Sequence, residues 1–399
     1  MARRCGYVEY ETPILEDTGL YLKKSGGELS SQLFRFEDQG GRDVTLRPEV
    51  TASLARIVAA EQRQYPKPLK WFEIGQCFRY EKPQKGRGRE FHQFNVDILG
   101  EAGPGADAEL IALAIETMLS FGFVEGDFVV RVSDRNAWVK FAEARGVTEE
   151  SMPDFLNLVD KLEREKPEVL SEKLAKFGTT LEEVNDFVAN PENAEGTFLE
   201  ILEDLRGRGF GNFVELDLSI VRGLAYYTGV VFEVFDAKKS MRAVAGGGRY
   251  DTLVKTISDG SVDMPATGFA MGDYVIRNLI EETTHAAMQL EVWLQRNAAG
   301  CEAYMIIPDE ASKPNALALV TDLRRAGISV DLPLSSAKVG KQFQAAEKSG
   351  ARFAVIIDGE FPLVKIKILA NRSEEQCHAA ELVEWMMQRL TEPDGPLLA

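Results

Sequence analysis

The stretch Phe78–Gly100 reads FRYEKPQKGRGREFHQFNVDILG. Three arginines (Arg79, Arg87, Arg89) and two lysines (Lys82, Lys85) flank a turn containing Pro83 and Gly86. Segments with strand character lie on either side, around Lys70–Arg79 and Phe91–Gly100, and the second carries Gln93 and Asp97. A basic loop between two strands suggests an anion site, phosphate above all, because a guanidinium fork matches phosphate oxygens and stays charged in any environment. Taken alone, charges in a hairpin are also what a solvated surface looks like.

The rest of the chain sharpens that reading. The formal net charge of −17 over 399 residues argues against broad nucleic-acid binding. The first 100 residues hold 16 Lys and Arg against 14 Asp and Glu, about +2, so the other 299 carry about −19. A polyanion is therefore expected at the N-terminal third, steered to a local patch. Four scattered cysteines (Cys5, Cys77, Cys301, Cys377) form no CxxC pair, and there are three histidines. Neither a zinc site nor a disulfide framework is expected. No apolar run approaches a membrane span and no apolar signal region follows Met1, so a cytoplasmic location is expected.

Residues 6–14 read as a strand, entered from a helix of which only Met1–Cys5 is present. In residues 33–47, Phe34 and Phe36 alternate against Val44 and Leu46 across Gly40-Gly41, which reads as a hairpin. Glu49–Glu61 reads as a helix with Pro48 at its start, and Asp107–Phe121 as another. Helical patterns dominate 133–209, suggesting an insertion. Strand character returns at 213–218, 230–235 and 243–245, and Gly272–Thr283 reads as a helix. A polar helical linker, roughly 283–300, leads to alternating strands and helices that suggest a small α/β domain with a partly parallel sheet. The expected class is α+β, an antiparallel sheet flanked by helices, followed by that α/β domain.

Three further clusters carry possible chemistry. Thr45-Leu-Arg-Pro-Glu-Val-Thr51 offers a carboxylate and a hydroxyl at a helix start, either a capping cluster or a clasp for an ammonium group. Arg222-Gly-Leu-Ala-Tyr-Tyr-Thr-Gly229 offers an arginine and two tyrosines for a polar pocket, or simply two core aromatics. Ala245-Gly-Gly-Gly-Arg-Tyr-Asp251 reads as a glycine-rich loop that lets backbone approach a ligand, without the spacing of a dinucleotide fingerprint or a P-loop.

Together, TLRPE-x-T, FR-x-E-x-PQKGR-x-REF-x-Q, RGL-x-YYTG and GGGRYD occur in the order found in histidine–tRNA ligases (histidyl-tRNA synthetases), a branch of the class II aminoacyl-tRNA synthetases. The resemblance covers almost the whole chain. It implies a two-step reaction in which the histidine carboxylate attacks the α-phosphate of ATP, and the 3′-terminal adenosine of tRNA(His) then takes the acyl group from histidyl-adenylate. By resemblance Arg79 and Arg222 are catalytic and also belong to the histidine-binding set: Arg79 holds the α-phosphate, and Arg222 reaches the α-phosphate and the substrate carboxylate. Histidine is held by Glu49, Val50, Thr51, Gln93 and Tyr226, with Asp97 and Tyr227 facing its imidazole. ATP is held by Arg79, Glu81, Arg87, Arg89, Gly248 and Arg249, and Mg2+ accompanies its phosphates; no protein side chains are assigned to the metal.

The same resemblance divides the chain into a catalytic core at 1–132 and 210–285, an insertion at 133–209, and a linker with an anticodon-binding domain at 286–399, where KSGARFAVII is the matching stretch. It implies a homodimer, and RNA contacts from the loop at 82–89, the insertion and the C-terminal domain. A non-catalytic paralogue that binds histidine or tRNA in regulation is the alternative.

Three departures stand out. Position 225 is Ala225 where the family usually has an acid. Motif 3 usually places an arginine three residues after its glycine to grip the γ-phosphate, and here that position is Val275. Arg277 stands two residues further, a helical rotation of about 200°, so it is expected to point away. Arg47 or Arg249 would then have to compensate, or ATP would bind more weakly. Finally, the segment before Gly6 is shorter than the family's usual first helix, which supports the dimer.

Overall fold

The computed structural model describes residues 1–391 apart from 26–29, 83, 163–164, 191–195, 222–225, 239–240 and 298–299. It divides into two compact units, Met1–Leu290 and Glu291–Ala399.

In chain order the first unit contains β1 (Val8–Glu9), β2 (Leu15–Asp17), α1 (Thr18–Ser25), β3 (Phe34–Glu37), β4 (Asp43–Leu46), α2 (Thr51–Glu61), β5 (Leu69–Phe78), β6 (Glu90–Leu99), α3 (Pro104–Ser120) and β7 (Phe128–Asp134). The helices α4 (Arg135–Glu143), α5 (Met152–Val159), α6 (Pro167–Ala175), α7 (Leu181–Ala189) and α8 (Gly196–Gly207) follow. Then come β8 (Val214–Leu216), β9 (Val230–Asp236), β10 (Ala245–Arg249), α9 (Leu253–Ile257), β11 (Ala266–Gly272) and α10 (Asp273–Glu282), and α11 (Thr284–Asn297) continues into the second unit.

An eight-stranded sheet, in the order β1-β5-β6-β11-β10-β9-β7-β8, organises the first unit. Its pairs are antiparallel except β1 with β5 and β7 with β8, at the two edges. The ten-residue strands β5 and β6 pair along their whole length, from Leu69 opposite Leu99 to Phe78 opposite Glu90. The basic loop is thus the connection of a long hairpin, as expected. The smaller hairpin also has the expected register, Phe34 opposite Leu46 and Phe36 opposite Val44, and β2 joins it to make a three-stranded sheet.

One face of the large sheet is covered by α3, which begins with Pro104 in its first turn. Its Leu110, Ile111, Leu113 and Ile115 are fully buried, each contributing about 1.5–3 kcal/mol by leaving water. Phe198, Ile201 and Leu205 of α8 belong to this same core. The helices α4–α7 instead share a separate core around Trp138, Phe141, Phe155 and Leu174. The Trp138 indole N–H donates to the Leu218 carbonyl at 2.6 Å. Asp134 caps α4 through the Asn136 N–H, and Thr180 with Glu183 forms a capping box on α7. The last helix of the expected insertion therefore packs as part of the main core.

Several local expectations change. The strand expected over 6–14 is only Val8–Glu9. The helix expected from Glu49 starts at Thr51. The glycines 246–248 are not a loop: they form the middle of β10, a fully buried strand paired on both sides. β11 was not foreseen.

The second unit contains β12 (Ala303–Ile306), α12 (Lys313–Arg325), β13 (Val330–Asp331), α13 (Val339–Lys348), β14 (Phe353–Ile356), β15 (Leu363–Ile368), β16 (Glu374–His378) and α14 (Leu382–Thr391). Its sheet runs β13-β12-β14-β15-β16, with the first three strands parallel and the last two antiparallel. This is the partly parallel α/β domain expected, with β16 added.

Candidate active site

The face of the large sheet opposite α3 forms the floor of a cavity of about 700 Å³. Strand alternation decides which residues reach it. Arg131 of β7 pairs with Glu233 of β9, which pairs with Gly246 of β10, then Ala270 of β11 and Asn95 of β6. All five line the cavity. Phe235, Gly272 and Gln93 lie one step along the strands in one direction, and Gly268 and Asp97 in the other. The middle of the floor is therefore glycine and alanine, which lets a flat ligand lie against the sheet.

At one end sits Asp97, buried, accepting a hydrogen bond from the Tyr250 hydroxyl at 2.5 Å. A Cβ at Gly268 would stand 2.0 Å from Asp97 Oδ1, so only glycine leaves room for that carboxylate. Burial, and then the nearby Asp97 charge, push the Tyr250 hydroxyl well above its ordinary pKa, which keeps it a donor. Tyr226 and Tyr227 also line the cavity, with ring centroids 4.6 Å apart, and Tyr226 meets Tyr250 edge-on at 6.0 Å. Glu49 and Thr51 enter from the start of α2. The Asn95 amide reaches Thr51 Oγ1 at 3.5 Å, and the Cys77 thiol donates to Gln93 Oε1 at 3.4 Å. Burial pushes that thiol up to about 12, so it is a neutral brace for Gln93.

The basic end begins at Arg79, just past β5. Its backbone N–H donates to Arg89 O at 2.9 Å, its Nε donates to the Pro48 carbonyl at 3.0 Å, and its guanidinium lies 5.2 Å from the Phe91 ring centre. No carboxylate among the described residues pairs with it. Glu81 and Arg87 both line the cavity and form an ion pair at 2.9 Å. At the loop tip Gly86 has φ 79°, the left-handed turn that glycine favours. The loop lies against α10: Lys85 pairs with Glu282 at 2.8 Å, and a Cβ on Gly86 would be 3.5 Å from Val275 Cγ2.

The expected site residues thus divide. Glu49, Thr51, Arg79, Glu81, Arg87, Gln93, Asp97, Tyr226 and Tyr227 come together around one cavity. Arg222 and Ala225 lie outside the described residues. Val50 has its side chain buried away from the cavity. Arg89 is exposed and stacked over Tyr80 at 4.5 Å, with its Nε on the Glu81 carbonyl. Neither Gly248 nor Arg249, both expected at the ATP site, lines the cavity. Gly248 has the floor-facing parity of Gly246, but a Cβ there would stand 2.6 Å from the Val230 carbonyl of β9, the strand paired beside it. Arg249 has the opposite parity, so its side chain leaves toward α3, where it pairs with Asp107 at 2.7 Å and Asp251 at 3.2 Å.

Arg47, the other expected substitute for motif 3, is buried in an ion pair with Glu73 at 2.6 Å. Arg277 is exposed and paired with Glu281, away from the cavity as expected. Val275 itself lines the cavity. Sequence reasoning did not single out Asn95, Arg131, Glu233, Arg242, Tyr250 or Tyr274, which all line it too. Asn95 was accessible from period two, midway between Gln93 and Asp97.

Burial pushes the Asp107 carboxyl upward, and Arg249 works against that shift. Replacing Arg249 with Met leaves a buried acid without its cation, so the first unit is expected to lose about 3–5 kcal/mol of stability. Thermal melting checks this. The KM for ATP, measured on the folded fraction, should stay unchanged.

Residues 1–273 match the family model described as histidyl-tRNA synthetase, and residues 302–389 match the anticodon binding domain. The chain is 40% identical over 394 residues to the histidine–tRNA ligase of Opitutus terrae, covering 92% of this chain and 88% of that relative. It is 34% identical over 400 residues to the chloroplastic/mitochondrial histidine–tRNA ligase of Arabidopsis thaliana, covering 96% and 80%. In fold it is similar to the crystal structure of histidyl-tRNA synthetase from Nostoc sp. PCC 7120, with a TM-score of 0.72, 23% identity, and 97% and 94% of the two chains covered.

Proposed function

The chain belongs to the histidyl-tRNA synthetase family, and from that premise we propose that the cavity on the large sheet is where histidine and ATP meet. The activity is the ATP-dependent attachment of L-histidine to tRNA(His) through histidyl-adenylate. One observation carries the assignment of the site. Arg79, with no carboxylate partner among the described residues, and Asp97, buried and bonded to Tyr250, face the same cavity.

In the first step a carboxylate oxygen of histidine forms a bond to the α-phosphorus. The bond from that phosphorus to the bridging oxygen breaks, and its electron pair leaves on pyrophosphate. Carboxylate and triphosphate are both anionic, so a fixed cation between them lowers the barrier. Arg79 takes that role. The Glu81–Arg87 pair holds a second guanidinium in place before ATP arrives. At the other end a neutral imidazole donates from one nitrogen to Asp97 and accepts a tyrosine hydroxyl, Tyr227, at the other. An amino acid lacking either group leaves buried polar atoms unpaired. Glu49, Thr51 and Gln93 take the α-ammonium.

Mg2+ accompanies the ATP phosphates, where it neutralises charge on them. Such an ion needs only one or two carboxylates besides phosphate. Asp273 fits: it lines the cavity, and its Oδ1 is buried with no hydrogen-bond partner among the described residues. Among the described residues no cluster of three or more metal-ligating side chains occurs.

The second unit takes the anticodon bases of tRNA(His), the loop at 82–89 meets the acceptor end, and the insertion adds contacts. The chain works as a homodimer in the cytoplasm. Exposed Val8, Ile14, Leu15, Phe36 and Ile74 supply apolar surface on the first unit for the partner. Native mass spectrometry should therefore give twice the chain mass; a monomer at micromolar concentration contradicts this. Among the described residues no helix is long and apolar enough to cross a membrane.

The experiment is aminoacylation of a tRNA(His) transcript with labelled histidine. Charging that needs ATP and is absent with other transcripts supports the reading. Tight tRNA binding without any ATP binding or charging would favour the non-catalytic alternative, for which Val275 is the one motivating feature.

A further inference from the structure

Val275 lines the cavity where the resemblance implies a cation for the far end of the triphosphate. Arg47, Arg249 and Arg277 are each held elsewhere by carboxylates. Arg131 does face the floor, but it is buried, 3.2 Å from Asp217 and over the Phe235 ring. Arg47, Arg249 and Arg277 do not line the cavity, and Arg242 does. It is exposed on the cavity wall, and the backbone on both sides of it is anchored. The Met241 N–H donates to Asp236 Oδ1 at 2.9 Å, and the Val244 N–H donates to the Val234 carbonyl at 2.7 Å.

The sheet then sets where this short span ends up. Ala245 pairs with Met271, and β11 runs one residue further, to Gly272, before α10 begins. Arg242 stands three residues before Ala245, and Val275 three residues after Gly272. Antiparallel pairing brings both to the same end of the sheet, the end where the loop tip at Gly86 meets Val275.

We propose that Arg242 is the cation for the β- and γ-phosphates of ATP, and for pyrophosphate as it leaves, in place of the arginine that Val275 displaces. This rests on the reading that the cavity binds ATP. A guanidinium at this end holds the triphosphate in line and takes up the charge that grows on pyrophosphate as the bond to the α-phosphorus breaks. A charged hydrogen bond of this kind is worth roughly a tenfold to hundredfold change in affinity.

The test is histidine-dependent ATP–pyrophosphate exchange with each substrate varied in turn. Arg242→Met should raise the KM for ATP and for pyrophosphate roughly tenfold or more, leaving the KM for histidine within about twofold. Adding Val275→Arg should bring both phosphate constants most of the way back, and Arg242→Lys should fall between. A structural fault would move all three constants together and would not respond to a cation at 275. The proposal is overturned if Arg242→Met leaves both phosphate constants unchanged, or if the histidine constant moves equally and neither Val275→Arg nor Arg242→Lys restores function. Wild-type protein without any histidine-dependent exchange would sink the ATP reading and this proposal together, whereas an active wild type with a silent Arg242→Met sinks this proposal alone.

Discussion

Arg79→Ala should lower the maximal rate of histidine-dependent ATP–pyrophosphate exchange by about a hundredfold to a thousandfold, the usual cost of removing a donor aimed at charge that develops in the transition state. On the proposed reading the cavity takes two anionic substrates, and no carboxylate among the described residues competes for this guanidinium. Its one side-chain hydrogen bond among the described residues, from Nε to the Pro48 carbonyl, is a small part of the packing there, so the melting temperature should move little. Arg79→Lys keeps a charge and loses the fork, and should recover only part of the rate. Steady-state exchange at saturating substrates separates these cases. A fall in rate with nearly unchanged KM for histidine is the signature of an interaction made in the transition state. An alanine variant within a few-fold of wild type would remove Arg79 from the chemistry.

Asp97→Asn should cut kcat/KM for histidine by about a hundredfold or more, leaving the KM for ATP nearly untouched. The substitution conserves shape, and the Tyr250 hydroxyl can still donate to the amide oxygen. What is lost, on the proposed reading, is the carboxylate acceptor for the imidazole N–H. Gly268 leaves no spare room beside this group, so the amide cannot swing away to relieve a mismatch. Exchange rates at varied histidine, measured beside a thermal melt, check the effect. If Asp97→Asn binds histidine as tightly as wild type, the imidazole is read elsewhere in the cavity.

How far the chain could be read in advance followed from whether structure was local. The hairpin of β5 and β6 was legible to within a residue or so, because apolar alternation and a Pro/Gly turn are properties of the segment itself. The glycines of β10 were read as a loop because glycine has poor intrinsic strand preference. They are a strand because β9 and β11 pair with them on both sides, which no local pattern announces. Once 245–249 is a strand, parity alone sends Arg249 to the α3 face and leaves Gly246 on the floor.

Glu49, Arg79, Gln93, Asp97 and the tyrosine pair were found through the order of their motifs, and the sheet gathers them around one cavity. Arg242 gave no such signal. Its position depends on the Asp236 anchor and on the register between β10 and β11.

The most direct test of the central claim is ATP–pyrophosphate exchange by the wild-type protein, supplied with Mg2+, against each amino acid in turn. Exchange that saturates with histidine and is at background with every other amino acid is the predicted result. No exchange with histidine, or equal exchange with another amino acid, would contradict the assignment of this cavity as the place where histidine is selected and activated.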